Sequence, residues 1–371
     1  MRKIILLLFV VGIVFSSCQA KQSSDDNINT EVLTELVTDS AVFVPSEKIE
    51  VSDAYTVNSN INDFDPASVP MNKLIITNPT VFNPFTLPEV LAKPVVTRTS
   101  NGISELVSNL YVSDNKVVLH QSSGSKLKTD TTKLDSLIAN YAYDTSFLAI
   151  RISDGSYIAY NIDDTYICAS TVKAPYALYI YQQIANGAAS LNDSIKYQSY
   201  HYTSGSGVLK YSDIGSTYSI KTLLNYSMVK SDNIAYMMLY DKFGNGASSM
   251  LASAGCKNSY SDYDWPLVSA RDAAIWWNEI YEFKDSCSEG KDLFNLCLSV
   301  SSPITYDAIG MNVQFAHKSG WVHNVCHEAG IIMTNDPYIL IVLTTKSYTN
   351  DTYTSHIVNV VREIDKIMRN Y

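Results

Sequence analysis

The sequence predicts an α+β fold, in which one antiparallel sheet is assembled from strands near both ends of a domain and covered by the helices between them. Three observations carry this. A hairpin pattern, Phe147–Ile152 and Ser156–Tyr160 about Asp154-Gly155, lies early. Two apolar strand-like runs, Cys326–Met333 and Tyr338–Thr345, lie late. The interval from about Ile220 to Leu298 reads as helical.

From the N-terminus, Arg2 and Lys3 precede a twelve-residue apolar stretch, Ile4 to Phe15, too short to span a bilayer, for which about 20 residues are needed. Ser16 and Ser17 then lead to Cys18, a pattern resembling a bacterial lipoprotein cleavage site with Cys18 as the lipid-bearing residue. The expected organisation is a signal peptide over residues 1–17, a polar lipid-anchored tether over 18–36, and export to the outer face of the bacterial cell membrane, held there by the lipid alone. Residues 37–130 hold strand-like runs at Lys73–Thr77 and Lys116–His120, with prolines 66, 70, 79, 84, 88 and 94 breaking any helix; they read as a stalk or a small β-rich module.

Organisation sharpens over 131–371. Leu134, Leu137, Ile138 and Tyr141 form a helical stripe before the hairpin, and Ile357, Val360, Val361, Ile364 and Met368 form another at the end. Between the hairpin and the helical interval, the extended lead-in Tyr166–Ala169 stops at Ser170, after which Val172, Tyr176, Tyr179 and Ile180 recur at helical spacing. Pro175 is tolerated because it lies near the helix start.

Composition narrows the function. The chain has 371 residues and a formal net charge of −10 with no basic stripe, which argues against a nucleic-acid partner. Setting Cys18 aside, five scattered cysteines remain, neither a disulfide framework nor a C-x-x-C metal pair; Cys168, two residues before Ser170, reads as core packing.

Ser170-Thr171-Val172-Lys173 places a hydroxyl and an amine one helical turn apart. A lysine buried beside a serine can lose its proton near neutral pH and act as its base, and a helix N-terminus supplies N–H groups where an oxyanion forms. S-x-x-K is short enough to recur by chance, so context decides. Two further motifs follow in order, Ser231-Asp232-Asn233 at the head of an apolar helix and Lys318-Ser319-Gly320 ahead of the late strands. Alone, the first reads as a helix cap and the second as a strand ending in a turn.

Together, S-x-x-K, S-D-N and K-S-G in this order and spacing resemble the penicillin-recognising serine hydrolases, of which class A β-lactamases and penicillin-binding proteins are members. Gly205–Leu209, Ser269–Ala274, His317 and His327–Ile331 also match that family, and the resemblance spans 131–371. It implies a β-lactamase-like fold with a helical subdomain and an acyl-enzyme on Ser170, with Lys173 as base. Ser231, helped by Lys318, would relay a proton to the leaving nitrogen. Asn233 would bind the substrate side-chain amide; Lys318 and Ser319 would grip the substrate carboxylate beside Gly320; the backbone N–H groups of Ser170 and Trp321 would form the oxyanion hole. β-Lactams or D-alanyl peptides from peptidoglycan are the implied substrates, with no metal or organic cofactor. His323 and His327 lack a third ligand and read as structural.

One departure stands out. The family's class A members carry a glutamate in an E-x-x-L-N loop that activates the deacylating water, and near residue 267 this chain has S-D-Y-D-W-P-L-V with no glutamate. Asp262 and Asp264 are the local substitutes, and slow deacylation is expected. A non-catalytic envelope-binding lipoprotein that keeps the fold is the alternative reading.

Overall fold

The computed structural model describes residues 100–371, apart from 142–143, 259–265, 323 and 346–350, together with two short upstream strands. The chain divides into two compact units, residues 1–88 and 89–371. In the first, β1 (Glu50–Val51) pairs antiparallel with β2 (Leu74–Ile75), the latter inside the expected strand run. Cys18, the expected signal peptide and tether, and the proline-broken segment lie outside the described residues.

The second unit is built on one seven-stranded antiparallel sheet. Its strands are β3 (Val118–His120), β4 (Thr145–Arg151), β5 (Tyr157–Tyr160), β10 (Gln314–His317), β11 (Gly320–Val322), β12 (Val325–Met333) and β13 (Tyr338–Thr344). They run in the order β10-β12-β13-β4-β5-β3, with β11 also on β12; outside this sheet β6 (Thr165–Ile167) pairs with β9 (Leu267–Ser269), and β7 (Ser194–Lys196) with β8 (Thr217–Ser219). The β4–β5 hairpin turns at Gly155, whose φ of 71° no β-carbon-bearing residue adopts cheaply. The late strands join the early ones through β13 on β4, with Ile341 opposite Leu148.

Both faces of this sheet are covered, which is why its central strands are apolar throughout rather than alternating. On the front, Leu148, Ile150, Ile339, Ile341, Leu343, Ala329 and Ile331 join one core; on the back, Phe147, Ala149, Leu340, Val342, Cys326 and Ile332 join another. The back is covered by α2 (Thr132–Ala139), α9 (Pro303–Ile309) and α10 (Asp351–Arg369). Ile357, Val360, Val361, Ile364 and Met368 of α10 are all buried there, as the stripe predicts.

The front carries α1 (Ile103–Asn109), α3 (Lys173–Ala185), α4 (Ile220–Val229), α5 (Asn233–Phe243), α6 (Ala247–Ser253), α7 (Ala270–Lys284) and α8 (Ser288–Leu298). Helix α7 packs directly on β4, β12 and β13. Its Arg271, almost fully buried, is tied by Nε to Asp163 Oδ1 (2.6 Å) and by Nη2 to Asp163 Oδ2 (2.7 Å) and Leu110 O (2.9 Å). Val107 O accepts from its remaining nitrogen. Asp272 accepts from Lys257 N at 2.8 Å, so the Ser269–Ala274 segment fastens α1, the loop after β5 and the loop leading to 259–265 onto one helix.

The compact unit also takes in residues upstream of 131. Ile103 and Val107 of α1 lie in the front core, Leu127 lies in the back core, and β3 pairs with β5. Residues 100–130 therefore belong to the compact unit, because the sheet's first edge and part of α7's packing come from them.

Candidate active site

Ser170 sits in a 3₁₀ turn, Ala169–Val172, immediately before α3. The turn follows β6 (Thr165–Ile167), which pairs with β9 (Leu267–Ser269), and Cys168 N–H donates to Pro266 O at 2.9 Å. Ala169 holds φ at 47°, a left-handed conformation that is costly for alanine and re-aims the chain between strand and helix. What holds it there is contact on all sides. Thr171 caps Cys168 O through both N–H (3.2 Å) and Oγ1 (2.6 Å), and β11 presses on the same turn. A β-carbon on Gly320 would lie 2.7 Å from Thr171 N and 2.9 Å from Cys168 O, so only glycine lets the strand come this close.

Lys173, the first residue of α3, is 3 % exposed. Its Nζ lies 2.7 Å from Ser231 O, 2.7 Å from Asn233 Oδ1, 3.2 Å from Ser170 Oγ and 3.3 Å from Ser231 Oγ. None of these is a carboxylate. Burial, and then the nearby charge of Lys318, hold the amine well below its ordinary value, only partly offset by Asp232.

Ser231 also holds a left-handed φ, 49°, just before α5. Asp232 caps that helix, Oδ1 accepting from Ala235 N at 2.9 Å. Its other oxygen accepts from Val208 N (2.5 Å) and Leu209 N (2.8 Å), drawing the Gly205–Leu209 segment over the helix start. Gly207 meets Asp232 so closely that a β-carbon would lie 2.3 Å from Oδ2. Asn233 is held from the same segment, its Nδ2 donating to Ser204 O at 3.0 Å and its backbone N–H to Ser206 O at 3.0 Å. Asn233 Oδ1 is thereby fixed toward Lys173.

Lys318 continues β10, its N–H donating to Ala329 O at 3.0 Å, and its buried Nζ donates to Ser319 O at 2.9 Å. Burial pushes this amine down to about 8, with Glu328 acting in the opposite sense. Ser319 is half-buried, and Trp321, on the strand beside the serine turn, is 47 % exposed. The structure thus brings Ser170, Lys173, Ser231 and Asn233 into one hydrogen-bonded cluster, and Lys318, Ser319, Gly320 and Trp321 lie on the stretch of chain whose strand packs on the serine turn.

His327 lies opposite Gly320 on β12. Its Nδ1 accepts from Thr344 N–H (3.3 Å), so Nε2 carries the proton and donates to Ile167 O (2.8 Å). Burial lowers its pKa to about 4. His323, Asp262 and Asp264 fall outside the described residues. The five cysteines from Cys168 to Cys326 are free thiols, and Cys168 is buried in the core.

Sequence reasoning missed two features here. Asp232 is an organiser as well as a cap, a role that the S-D-N pattern signals only if a glycine-rich partner such as 205–207 is sought. His317 and Glu328 form a buried pair behind Lys318, and their separate places in the sequence do not announce that they meet.

The model of the beta-lactamase enzyme family matches residues 130–368. The chain belongs to the beta-lactamase enzyme family. It is a serine hydrolase by that membership, and its neighbours among solved structures share the fold. A beta-lactamase from Sphaerobacter thermophilus is 20 % identical with a TM-score of 0.60, covering 65 % of this chain and 99 % of that one. A PBP-A mutant captured as an acyl-enzyme with penicillin G is 18 % identical with a TM-score of 0.59, covering 64 % and 94 %. A beta-lactamase from Chitinophaga pinensis is 14 % identical with a TM-score of 0.57, covering 63 % and 96 %. No curated protein matches the chain by sequence.

Proposed function

We propose that this beta-lactamase family member forms an acyl-enzyme on Ser170 with β-lactams or with D-alanyl peptides of peptidoglycan, and releases it slowly. The observation that carries the reading is the buried Lys173 amine, 3.2 Å from Ser170 Oγ and hydrogen-bonded only to neutral oxygens. A neutral amine there takes the Oγ–H proton as Oγ bonds to the acyl carbon. The oxyanion that forms is received by the backbone N–H groups of Ser170 and Trp321. As the C–N bond breaks, Ser231 passes its proton to the leaving nitrogen and is reprotonated from the Lys173–Lys318 side. Lys318 and Ser319 hold the carboxylate that penicillins and D-alanyl ends share, and Asn233 holds the acyl side-chain amide.

Water must then attack the ester, and the segment before Ser269 offers no glutamate to activate it. The acyl-enzyme of a β-lactam should accumulate for that reason. The N-terminal pattern adds an address to this reading: export, with lipid on Cys18 holding the enzyme at the outer face of the cell membrane, where peptidoglycan is at hand.

The test is intact-protein mass against time after mixing penicillin with a soluble chain lacking residues 1–18, with Ser170→Ala in parallel. A long-lived adduct on the unsubstituted chain alone is the expected result. A short-lived adduct with consumed antibiotic means that another group serves as deacylating base, and Asp262 and Asp264 become the next substitutions. No adduct and no consumption would overturn the penicillin-recognition reading and leave another acyl substrate or a non-catalytic binding role.

A further inference from the structure

The stretch from Gln198 to Leu209 passes over the start of α5, and its middle is what holds Asn233. Asn233 sends Nδ2 to Ser204 O and its backbone N–H to Ser206 O, both at 3.0 Å, which leaves Oδ1 for Lys173. A primary amide has two ends of nearly equal shape, one accepting and one donating. Ser204 O decides between them, because a carbonyl takes only the N–H end. With that carbonyl displaced, the amide is free to turn over and present N–H to Lys173. It would then occupy the lone pair that the Ser170 hydroxyl needs.

This stretch is fastened to α5 at two points. Downstream, Val208 and Leu209 donate to Asp232. Between that clamp and Ser204 stand Gly205 (φ 104°) and Gly207 (φ 123°), whose backbone has other conformations open to it. Gly205 has to be glycine, since a β-carbon there would lie 2.7 Å from Asn233 Nδ2. The firmer hold on Ser204 is therefore the upstream one.

Upstream, the 3₁₀ turn Ser199–His201 packs on α5, and His201 reaches Asp241, about two turns along that helix from Asn233. The His201 ring is buried beside Tyr197 and Tyr200. Its Nδ1 accepts from Gln198 N–H (3.0 Å), so Nε2 carries the proton and donates to Asp241 Oδ2 (3.2 Å). The same oxygen accepts from the Tyr200 hydroxyl (3.2 Å). One ring nitrogen thus closes the turn and the other ties it to the helix, and only Tyr202 and Thr203 separate the turn from Ser204.

We propose that His201 and Asp241 are positioning residues for the active site: their hydrogen bond pins the Ser199–His201 turn to α5, so that Ser204 O keeps the Asn233 amide turned with Oδ1 toward Lys173. The proposal rests on the reading of Lys173 as the base for acylation.

The test uses two variants. Asp241→Ala removes the acceptor at an exposed helix position where alanine is a good helix former. His201→Phe keeps a ring between the tyrosines and removes both nitrogens. In each, the side-chain NH₂ signal of Asn233 in ¹⁵N-labelled protein, assigned by its loss in Asn233→Asp, should move. Acylation by penicillin should slow by up to about 10²-fold, the cost of a small misplacement in a catalytic site. The acid limb of acylation should move to lower pH, because an amide N–H facing Lys173 disfavours the ammonium; a merely loosened fold leaves that limb in place. Asp241→Asn, which keeps an oxygen for the Nε2 proton, should restore most of the rate. The double variant, Asp241→Ala with His201→Phe, should lose no more than either single one.

An unmoved Asn233 signal in a folded variant would overturn the proposal whatever the rate, as would losses that add in the double variant. If the signal moves and Asp241→Asn restores it, but the unsubstituted chain is never acylated by penicillin, the pinning of Asn233 stands and the penicillin-recognition reading falls.

Discussion

A neutral lysine has two N–H bonds and one lone pair, and the surroundings of Lys173 are arranged for that state. The two carbonyl oxygens at 2.7 Å, on Ser231 and Asn233, accept the two N–H groups, and the lone pair is left for the Ser170 hydroxyl. Acylation then needs Lys173 neutral and Lys318 charged. Because Lys173 is neutral above its lowered pKa and Lys318 is charged below about 8, the rate should be bell-shaped in pH, with its alkaline limb near 8. Lys173→Met should keep the fold and lower the acylation rate by about 10²–10⁴-fold, the usual contribution of a positioned base. A flat profile in stopped-flow acylation, or a Lys173→Met variant of full activity, would remove Lys173 from that role. The serine, the lysines and Asn233 were legible in the sequence because the chemistry demands those residue types in that order. The left-handed backbone at Ala169 and Ser231 was not. Nothing in an alanine or a serine signals positive φ, and the strain is imposed from outside, by β11 on one turn and by the Asp232 clamp beside the other.

Among the elements, β12 does most to bring the motifs together, pairing with β10, β11 and β13. Alternation sends His327 to the front, toward the nucleophile strand, and Glu328 to the back, toward His317. The sequence predicted this strand as a strand. Its two-sided function depends on what packs on each face, which no period of hydrophobicity records. His327 clips β6 to the sheet three residues before Ser170 and does so only as the neutral ring, since Nδ1 must accept. Its folded pKa of about 4 lies below the ordinary 6.5, so the unfolded chain takes up the proton first as pH falls. The clip's contribution is therefore complete above pH 6.5 and is lost as pH falls toward 4, by up to about 3 kcal/mol. His327→Gln keeps an N–H for Ile167 O without a titrating group. Its melting temperature should fall less than that of the unsubstituted chain between pH 7 and pH 4.5, a difference that calorimetry reads directly. Equal acid slopes would mean that His327 is not the group that titrates.

At the scale of the molecule, the motifs marked out a unit beginning at residue 131, and the family match begins at 130. Packing extends it upstream. Residues 100–130 carry no family motif; the strand-like run Lys116–His120 does contain β3, but a seven-residue helix leaves too short a period to read. Their weight is nonetheless calculable. A chain beginning at Thr131 loses the burial of Ile103 and Val107, each worth about 1.5–3 kcal/mol. It also strips Val107 O and Leu110 O from Arg271, leaving a buried guanidinium short of two acceptors. β5 loses its outer partner and becomes an exposed edge. Together these amount to roughly 5 kcal/mol, a large fraction of the stability of a domain this size. A chain beginning at Glu89, where the compact unit starts, keeps all of them. The shorter chain should melt about 10–20 °C lower in a thermal scan, or collect in the insoluble fraction, while the longer one unfolds in a single transition. If the two melt within about 3 °C of each other, α1 and β3 are attachments to the hydrolase and not part of its core.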